Sequence, residues 1–407
     1  MISRRRWLGL AFAAAAGALA APMAAPAPVF AAEPIRIGEL NSYTTFPAFT
    51  IPYRHGWQMG LDEINAAGGV LGRPLEVISK DDGGKPGDAV TVANELISRD
   101  GVVLLFGTLL SNVGLAVADV AAQRRIPFIA AEPLTDAIVW EKGNPYTFRL
   151  RPGTYVQAAM LAEEAAKLPA KRWATVAPNY EYGRAAVEAF RMLLEKRRPD
   201  VEWVGEQWPA LNKIEAGSTV QALAAMQPDA IFNVTFGTDL AKFVREGEAR
   251  GLFQDRDVVS VLGGEPDWID PLGGEAPEGW IVTGYPWYAL ETPEHAAFRA
   301  AYMERFKDYP RLGSVVGYTA IKAVAAAIGR AGSTDADIVV AALRGLELTS
   351  PLGPIEFRVV DQQSTMGTFV GTLTVQDQMP RMVNWRFGAG ADYLPGAEET
   401  AKLRAAN

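Results

Sequence analysis

Gly60-Leu61-Asp62-Glu63-Ile64-Asn65-Ala66-Ala67-Gly68-Gly69-Val70-Leu71-Gly72-Arg73-Pro74 decides how the chain is organised. Upstream, Tyr53, Trp57, Leu61 and Ile64 recur at helical spacing and share one face, and Gly68-Gly69 stops that helix. Downstream, Leu75 to Ser79 is a strand. The glycines therefore follow a helix and precede a strand, the reverse of the strand, glycine loop, helix order that cradles a dinucleotide pyrophosphate. They mark the return turn of a βα series.

That series runs outward in both directions. Ile35 to Leu40 is a strand before the helix; Pro86 opens a helix through Ile97, Val102 to Phe106 is a strand, Asn112 caps a helix to Arg124, and Phe128 to Ala130 is a strand. The pattern restarts after Phe148-Arg149-Leu150-Arg151-Pro152, with helices at 154–167, 183–196, 217–226 and 238–250 and strands at 173–177, 201–206, 230–235 and 257–262. A strand at 280–284, helices near 293–307, 314–330 and 335–345, and a strand pair within 367–385 complete the chain. Such βαβα order predicts two α/β lobes with parallel sheets, joined by three crossings near 149–153, 284–290 and 349–355.

Composition removes most chemistries. The chain has 407 residues, a hydrophobic fraction of 49% and a formal charge of −8, with no Lys/Arg block to form a nucleic-acid groove. It has no cysteine and two histidines, so thiolate and histidine metal sites, cysteine nucleophiles and an N-terminal lipid on cysteine are excluded or poorly supported. Gly83-Gly84-Lys85 lacks phosphate-loop spacing, and no Gly-x-Ser-x-Gly elbow occurs. His55 and His295 are expected at helix starts in surface or capping roles, and Asp81-Asp82 in a turn. No catalytic residue, metal or cofactor is expected, and a small molecule is the expected partner.

Residues 1–31 have the order of an export signal: Ser3-Arg4-Arg5-Arg6-Trp7-Leu8, an apolar run from Leu8 to Ala21, and a small-residue stretch to Ala31-Ala32. The paired arginines resemble the twin-arginine type. Beyond residue 32 no second membrane segment is expected, which predicts an exported, periplasmic product without a lipid anchor.

Ligands of open parallel sheets bind outside the carboxyl ends of the strands, where helix N-termini converge. That rule selects Asn41 to Phe49, Asp81-Asp82, Gly107 to Asn112 and Ala131-Glu132 in the first lobe, and Pro178 to Tyr182, Gln207-Trp208, Phe236 to Thr238 and Gly264 to Trp268 in the second. Tyr43, Phe46, Phe49, Tyr182, Phe236, Trp268, Tyr285 and Trp287 are candidates to wall a flat or cationic guest.

The stretch from Gly60 to Pro74 also resembles the most characteristic segment of the branched-chain amino-acid type of ABC-transporter solute-binding proteins. Similarity continues through Asp81-Asp82-Gly83, Gly107 to Asn112, Ile126 to Ile129, Gly143 to Arg149, Glu181-Tyr182-Gly183 and Ser350 to Phe357. The resemblance implies an α/β type I periplasmic binding fold of two doubly wound parallel-sheet lobes on a three-crossing hinge. It divides the chain into 33–150 plus 286–350 and 151–285 plus 351–400, and implies a monomer that hands an amino acid or amino-acid-like ligand to an ABC permease. It places Ser111, Asn112 and Ala131 on the ligand carboxylate, Glu265 on its ammonium, and Phe46, Tyr182 and Phe236 around the remainder. Two departures from the family pattern line the same cleft: Ala131-Glu132-Pro133-Leu134-Thr135-Asp136 lacks the family's hydroxyl residue after the strand and a residue or two of loop, and the loop from Asn41 to Phe49 lacks the usual glycine and is aromatic. With Glu132 facing Glu265, an amide or aromatic compound becomes the alternative ligand, a sensor lobe pair the alternative role, and an exported α/β enzyme using Asp81 or Glu265 as base the remotest.

Overall fold

A computed structural model describes residues 32–405; the expected export signal at 1–31 lies outside the described residues. In the first lobe β1 (Ile35–Asn41), α1 (Pro47–Ala66), β2 (Leu75–Asp81), α2 (Pro86–Ser98), β3 (Leu105–Gly107), α3 (Ser111–Arg124), β4 (Phe128–Ala130) and β5 (Thr147–Arg149) follow in turn. Their sheet has the order β2-β1-β3-β4-β5 and is parallel throughout. The turn after α1 is built as its sequence requires: Gly68 and Gly69 take φ of 102° and 71°, a region open to glycine at little cost, and Asn65 clamps the start of β2 through Leu75 N (2.8 Å) and Leu75 O (2.9 Å).

In the second lobe come α4 (Thr154–Ala165), β6 (Arg172–Val176), α5 (Glu181–Arg197), β7 (Glu202–Gln207), α6 (Ala216–Ala225), β8 (Ala230–Asn233), α7 (Gly237–Ala249), β9 (Asp257–Gly264), the single turn α8 (Pro266–Ile269) and β10 (Ile281–Gly284). The chain then returns to the first lobe with α9 (Pro293–Phe306), α10 (Leu312–Ala331) and α11 (Ala336–Leu343), followed by the hairpin β11 (Glu347–Ser350) and β12 (Gly353–Glu356). It ends in the second sheet with β13 (Thr368–Gln376) and β14 (Met379–Gly388). The second sheet runs β14-β13-β10-β9-β8-β6-β7, parallel from β7 to β10 and antiparallel at β13 and β14.

Three features differ from expectation. The hairpin β11–β12 folds back on itself, and residues 362–364 then run beside Arg149 before the chain reaches β13, so the third crossing falls near 362–367 instead of 349–355. Helix α10 has the length and hydropathy of a membrane span, although none was expected beyond residue 32; most of its apolar window is buried, packed lengthwise on α1. That contact depends on close approach, since a Cβ on Gly56 would lie 2.0 Å from Ser314 O and one on Gly317 2.0 Å from Tyr53 O. Finally, neither histidine has the expected surface or capping role, although His295 does lie in the first turn of α9. His295 is fully buried with Nε2 2.6 Å from Tyr285 OH, and His55 lies within α1, half-buried against Phe306.

Candidate functional site

The carboxyl ends of both sheets face one another, and the lobes meet there. Thr135 Oγ1 donates to Glu181 Oε1 at 2.6 Å across the cleft, and Asp267 of α8 accepts from the amides of Leu312 (2.9 Å) and Gly313 (3.2 Å) at the start of α10. Three helices begin at this seam without a capping side chain: α3 after Leu110, α5 after Tyr180 and α7 after Phe236. The first amide that closes a helical bond is Gly114 in α3, Arg184 in α5 and Leu240 in α7. The preceding amides of each helix are therefore not used by it and carry the positive end of its dipole.

Leu110, Ser111, Tyr180, Tyr182 and Phe236, from these three helix starts, line an inner chamber of about 20 Å³ together with Glu132, Arg151, Leu262 and Trp268. That is room for about one water molecule. Its shape owes much to the end of β9, where the register against β10 slips, Leu262 takes φ of 63°, and Leu262 N turns to Thr283 Oγ1 (3.0 Å). The bulge delivers Leu262 and Glu265 to the seam.

The charges of the chamber form a closed trio. Arg151, 3% exposed, donates from Nη1 to Glu132 Oε2 at 2.9 Å and from Nη2 to Glu265 Oε1. Glu265 accepts with its other oxygen from Trp268 Nε1 at 3.1 Å, so it has no free oxygen. Glu132 does: its Oε1 is buried without a partner, as is the hydroxyl of Tyr182. Burial pushes both carboxyls above the usual carboxylate range against the pull of Arg151. Burial would lower Arg151, but the two carboxylates outweigh it and hold the guanidinium charged.

Of the residues expected to contact a ligand, Ser111, Glu132, Tyr182 and Phe236 are brought together on the inner chamber. Ser111 Oγ accepts from Thr135 N at 3.1 Å, which leaves its hydroxyl proton to donate. Ala131 is not a donor there, because its amide already bonds Gly107 O at 2.9 Å. Asn112 is not the cap of α3: it is the second residue of the helix, and its Oδ1 is buried without a partner. Phe46 lies one layer out, against Phe236 (5.7 Å between centroids) and Trp268 (6.4 Å). Tyr285 and Trp287, also candidates, are spent on His295 and on a stack with Tyr309 at 4.8 Å.

Arg151 was not singled out from sequence. Its signal is the pair Arg149 and Arg151 at alternate positions of an extended segment, which puts two buried arginines on one face. Arg149 is committed to structure, bonded to Asp136 Oδ1 (2.7 Å), the carbonyls of Leu134 and Thr135, and Gln363.

In this two-sheet architecture with facing strand ends, crossed three times by the chain, residues 34–378 match the family described as periplasmic binding protein. The chain belongs to the periplasmic binding protein family. It is similar to a Leu/Ile/Val-binding protein homolog of Brucella melitensis, 22% identical over 383 residues that span 86% of this chain and 87% of the relative. Two solved structures share its fold. One is an amino acid ABC transporter substrate-binding protein from Pseudomonas fluorescens Pf-5 (TM-score 0.79, 24% identity, covering 91% of this chain and 99% of that one). The other is an ABC-transporter solute-binding protein from Rhodopseudomonas palustris BisB5 in complex with 3,4-dihydroxybenzoic acid (TM-score 0.78, 24% identity, covering 88% and 97%). Membership gives this periplasmic binding protein a solute-binding role in place of an enzymatic one.

Proposed function

We propose that this periplasmic binding protein captures a small carboxylic acid, an amino acid or amino-acid-like compound, between its lobes and delivers it as a monomer to an ABC permease. The lobes are taken as 33–150 plus 286–350 and 151–285 plus 351–400, with the last boundary moved to near 362. The observation that carries the ligand class is the convergence of uncapped helix starts on one chamber: the α3 amides and the Ser111 hydroxyl suit a carboxylate. Glu132 Oε1, the acid oxygen left unbonded, suits the ammonium better than Glu265, whose oxygens are engaged. An inner chamber of about 20 Å³ does not admit an amino acid while the lobes are shut, so entry requires the hinge to open. Export through the signal at 1–31, with no lipid anchor, completes the proposal.

A second reading, an aromatic acid, is favoured by one feature: Tyr180, Tyr182, Phe236 and Trp268 form a continuous wall with neighbouring centroids 5.3–6.0 Å apart. The relative from Rhodopseudomonas palustris is in complex with such an acid. Calorimetric titration with leucine, benzoate and 4-hydroxybenzoate separates the two. Leucine binding that falls tenfold or more in Glu132→Gln, with benzoate binding nearly unchanged, supports the amino-acid reading. Binding of the benzoates alone moves the assignment to aromatic acids, and binding of no carboxylate removes the proposal.

A further inference from the structure

Outside the inner chamber, past the rings of Phe46, Phe236 and Trp268, the cleft widens into a second cavity of about 630 Å³. This is the size of pockets that hold whole small molecules, and the inner chamber alone is far smaller. Two helix starts open onto it, α1 at Pro47 and α7 at Gly237, neither with a capping side chain. One side of α7 presents Thr238, Ala241, Lys242 and Arg245 to it. Arg245 is partly neutralised by Glu275 at 2.8 Å, whereas Lys242 is exposed and forms no ion pair among the described residues. Of the acids nearby, Asp267 accepts two amides of α10, and buried Asp239 accepts from Ile214 N with Oδ1 while its Oδ2 has no hydrogen-bond partner. The outer cavity is thus mostly apolar, with its positive groups at the rim.

Resting on the reading of the inner chamber as a carboxylate site, we infer that the ligand is a two-ended anion longer than a simple amino acid. Its carboxylate head meets the start of α3, a flat apolar middle replaces the mutual packing of Phe46 with Phe236 and Trp268, and a negatively charged tail reaches Lys242. A ligand with only a head would leave a cavity of about 630 Å³ and an unpaired lysine without a role in recognition. Ring-to-ring packing at the neck explains how the same cleft shuts when the middle is withdrawn.

The test is calorimetry on the full chain with benzoate, 4-carboxybenzoate and 4-(2-carboxyethyl)benzoate, together with 4-ethylbenzoate as the neutral-tailed control. Expected is at least a tenfold preference for an anionic tail over the neutral one, falling to near unity in Lys242→Gln. A tail that brings no gain over benzoate, or a preference for anionic tails untouched in Lys242→Gln, overturns the two-ended ligand while leaving the carboxylate head standing. Failure of every compound to bind removes the carboxylate reading and this inference with it.

Discussion

Arg151 sits with both guanidinium ends on buried carboxylates, and one positive charge facing two acids makes it the residue on which the shut cleft most depends. Removing it strands Glu132 and Glu265 without a counter-charge, and breaking a buried pair in this way costs about 3–5 kcal/mol. Arg151→Met should therefore lower stability to urea by that order, and Arg151→Met combined with Glu132→Gln and Glu265→Gln should recover most of it; equal loss in both variants would show that packing, not charge, is responsible. Glu39 supplies a separate prediction. It is fully buried under α1, accepts from Ser79 Oγ, and burial pushes its carboxyl up to about 8, opposed by Tyr43 and Arg54. With the folded value above the unfolded one, the folded state holds the extra proton, so its contribution is present in acid and is lost as pH rises from about 4.5 through about 8. Glu39→Gln should flatten that decline and raise the melting temperature at pH 8, and a wild-type slope retained in the variant would contradict it. At this scale the sequence was only partly legible. Strand-end rules locate Ser111, Glu132, Tyr182 and Phe236 on the chamber, because loop position alone decides that. They do not tell which carboxylate is already bonded, since the partner, Arg151, is 114 residues from Glu265 in sequence. Nor do they show that the Ala131 amide is taken by Gly107.

Helix α1 is held to α10 through backbone contact, and the glycines that allow it give a prediction of opposite signs. Gly317→Ala puts a Cβ 2.0 Å from Tyr53 O, which the pair can relieve only by moving apart, so a loss of roughly 1–3 kcal/mol is expected. Gly329→Ala, in the same helix with nothing within 4 Å, should instead gain up to about 1 kcal/mol from helix propensity. Thermal unfolding of the two variants checks both signs; destabilisation by both would indicate that α10 tolerates no added side chain for reasons other than this contact. Elements of this kind are well marked in sequence. The stop at Gly68-Gly69, Pro86 at the first turn of α2 and the final strand pair follow from local chemistry. The start of α3 is not legible in the same way: Asn112 has the chemistry of a cap, but the cap position falls two residues earlier, at Leu110, and leaves the first amides uncapped. The hairpin at Ser350 is likewise indistinguishable from a crossing in sequence, because Pro351, Gly353 and Pro354 mark a turn without telling where the chain goes next.

Across the whole molecule, the sheets are tied at the hinge and at the seam, by Thr135 to Glu181 and by Asp267 to the start of α10, and a ligand that bonds both lobes favours this shut arrangement by its differential affinity for it. Two lobes were legible because the βα rhythm restarts after Arg151-Pro152. That their cleft divides into an inner chamber holding the buried charges and an outer apolar one was not, since the division is made by rings from 46, 236 and 268 meeting in space. The most direct measurement of the account is the distance between spin labels at Lys85→Cys and Lys213→Cys, exposed positions after β2 and β7 on opposite sides of the cleft, in a chain that has no cysteine of its own. Addition of a carboxylate that binds by calorimetry should convert a broad distribution with long distances into one narrow, shorter distance; distributions that superimpose with and without the bound carboxylate would contradict closure of the lobes on a guest.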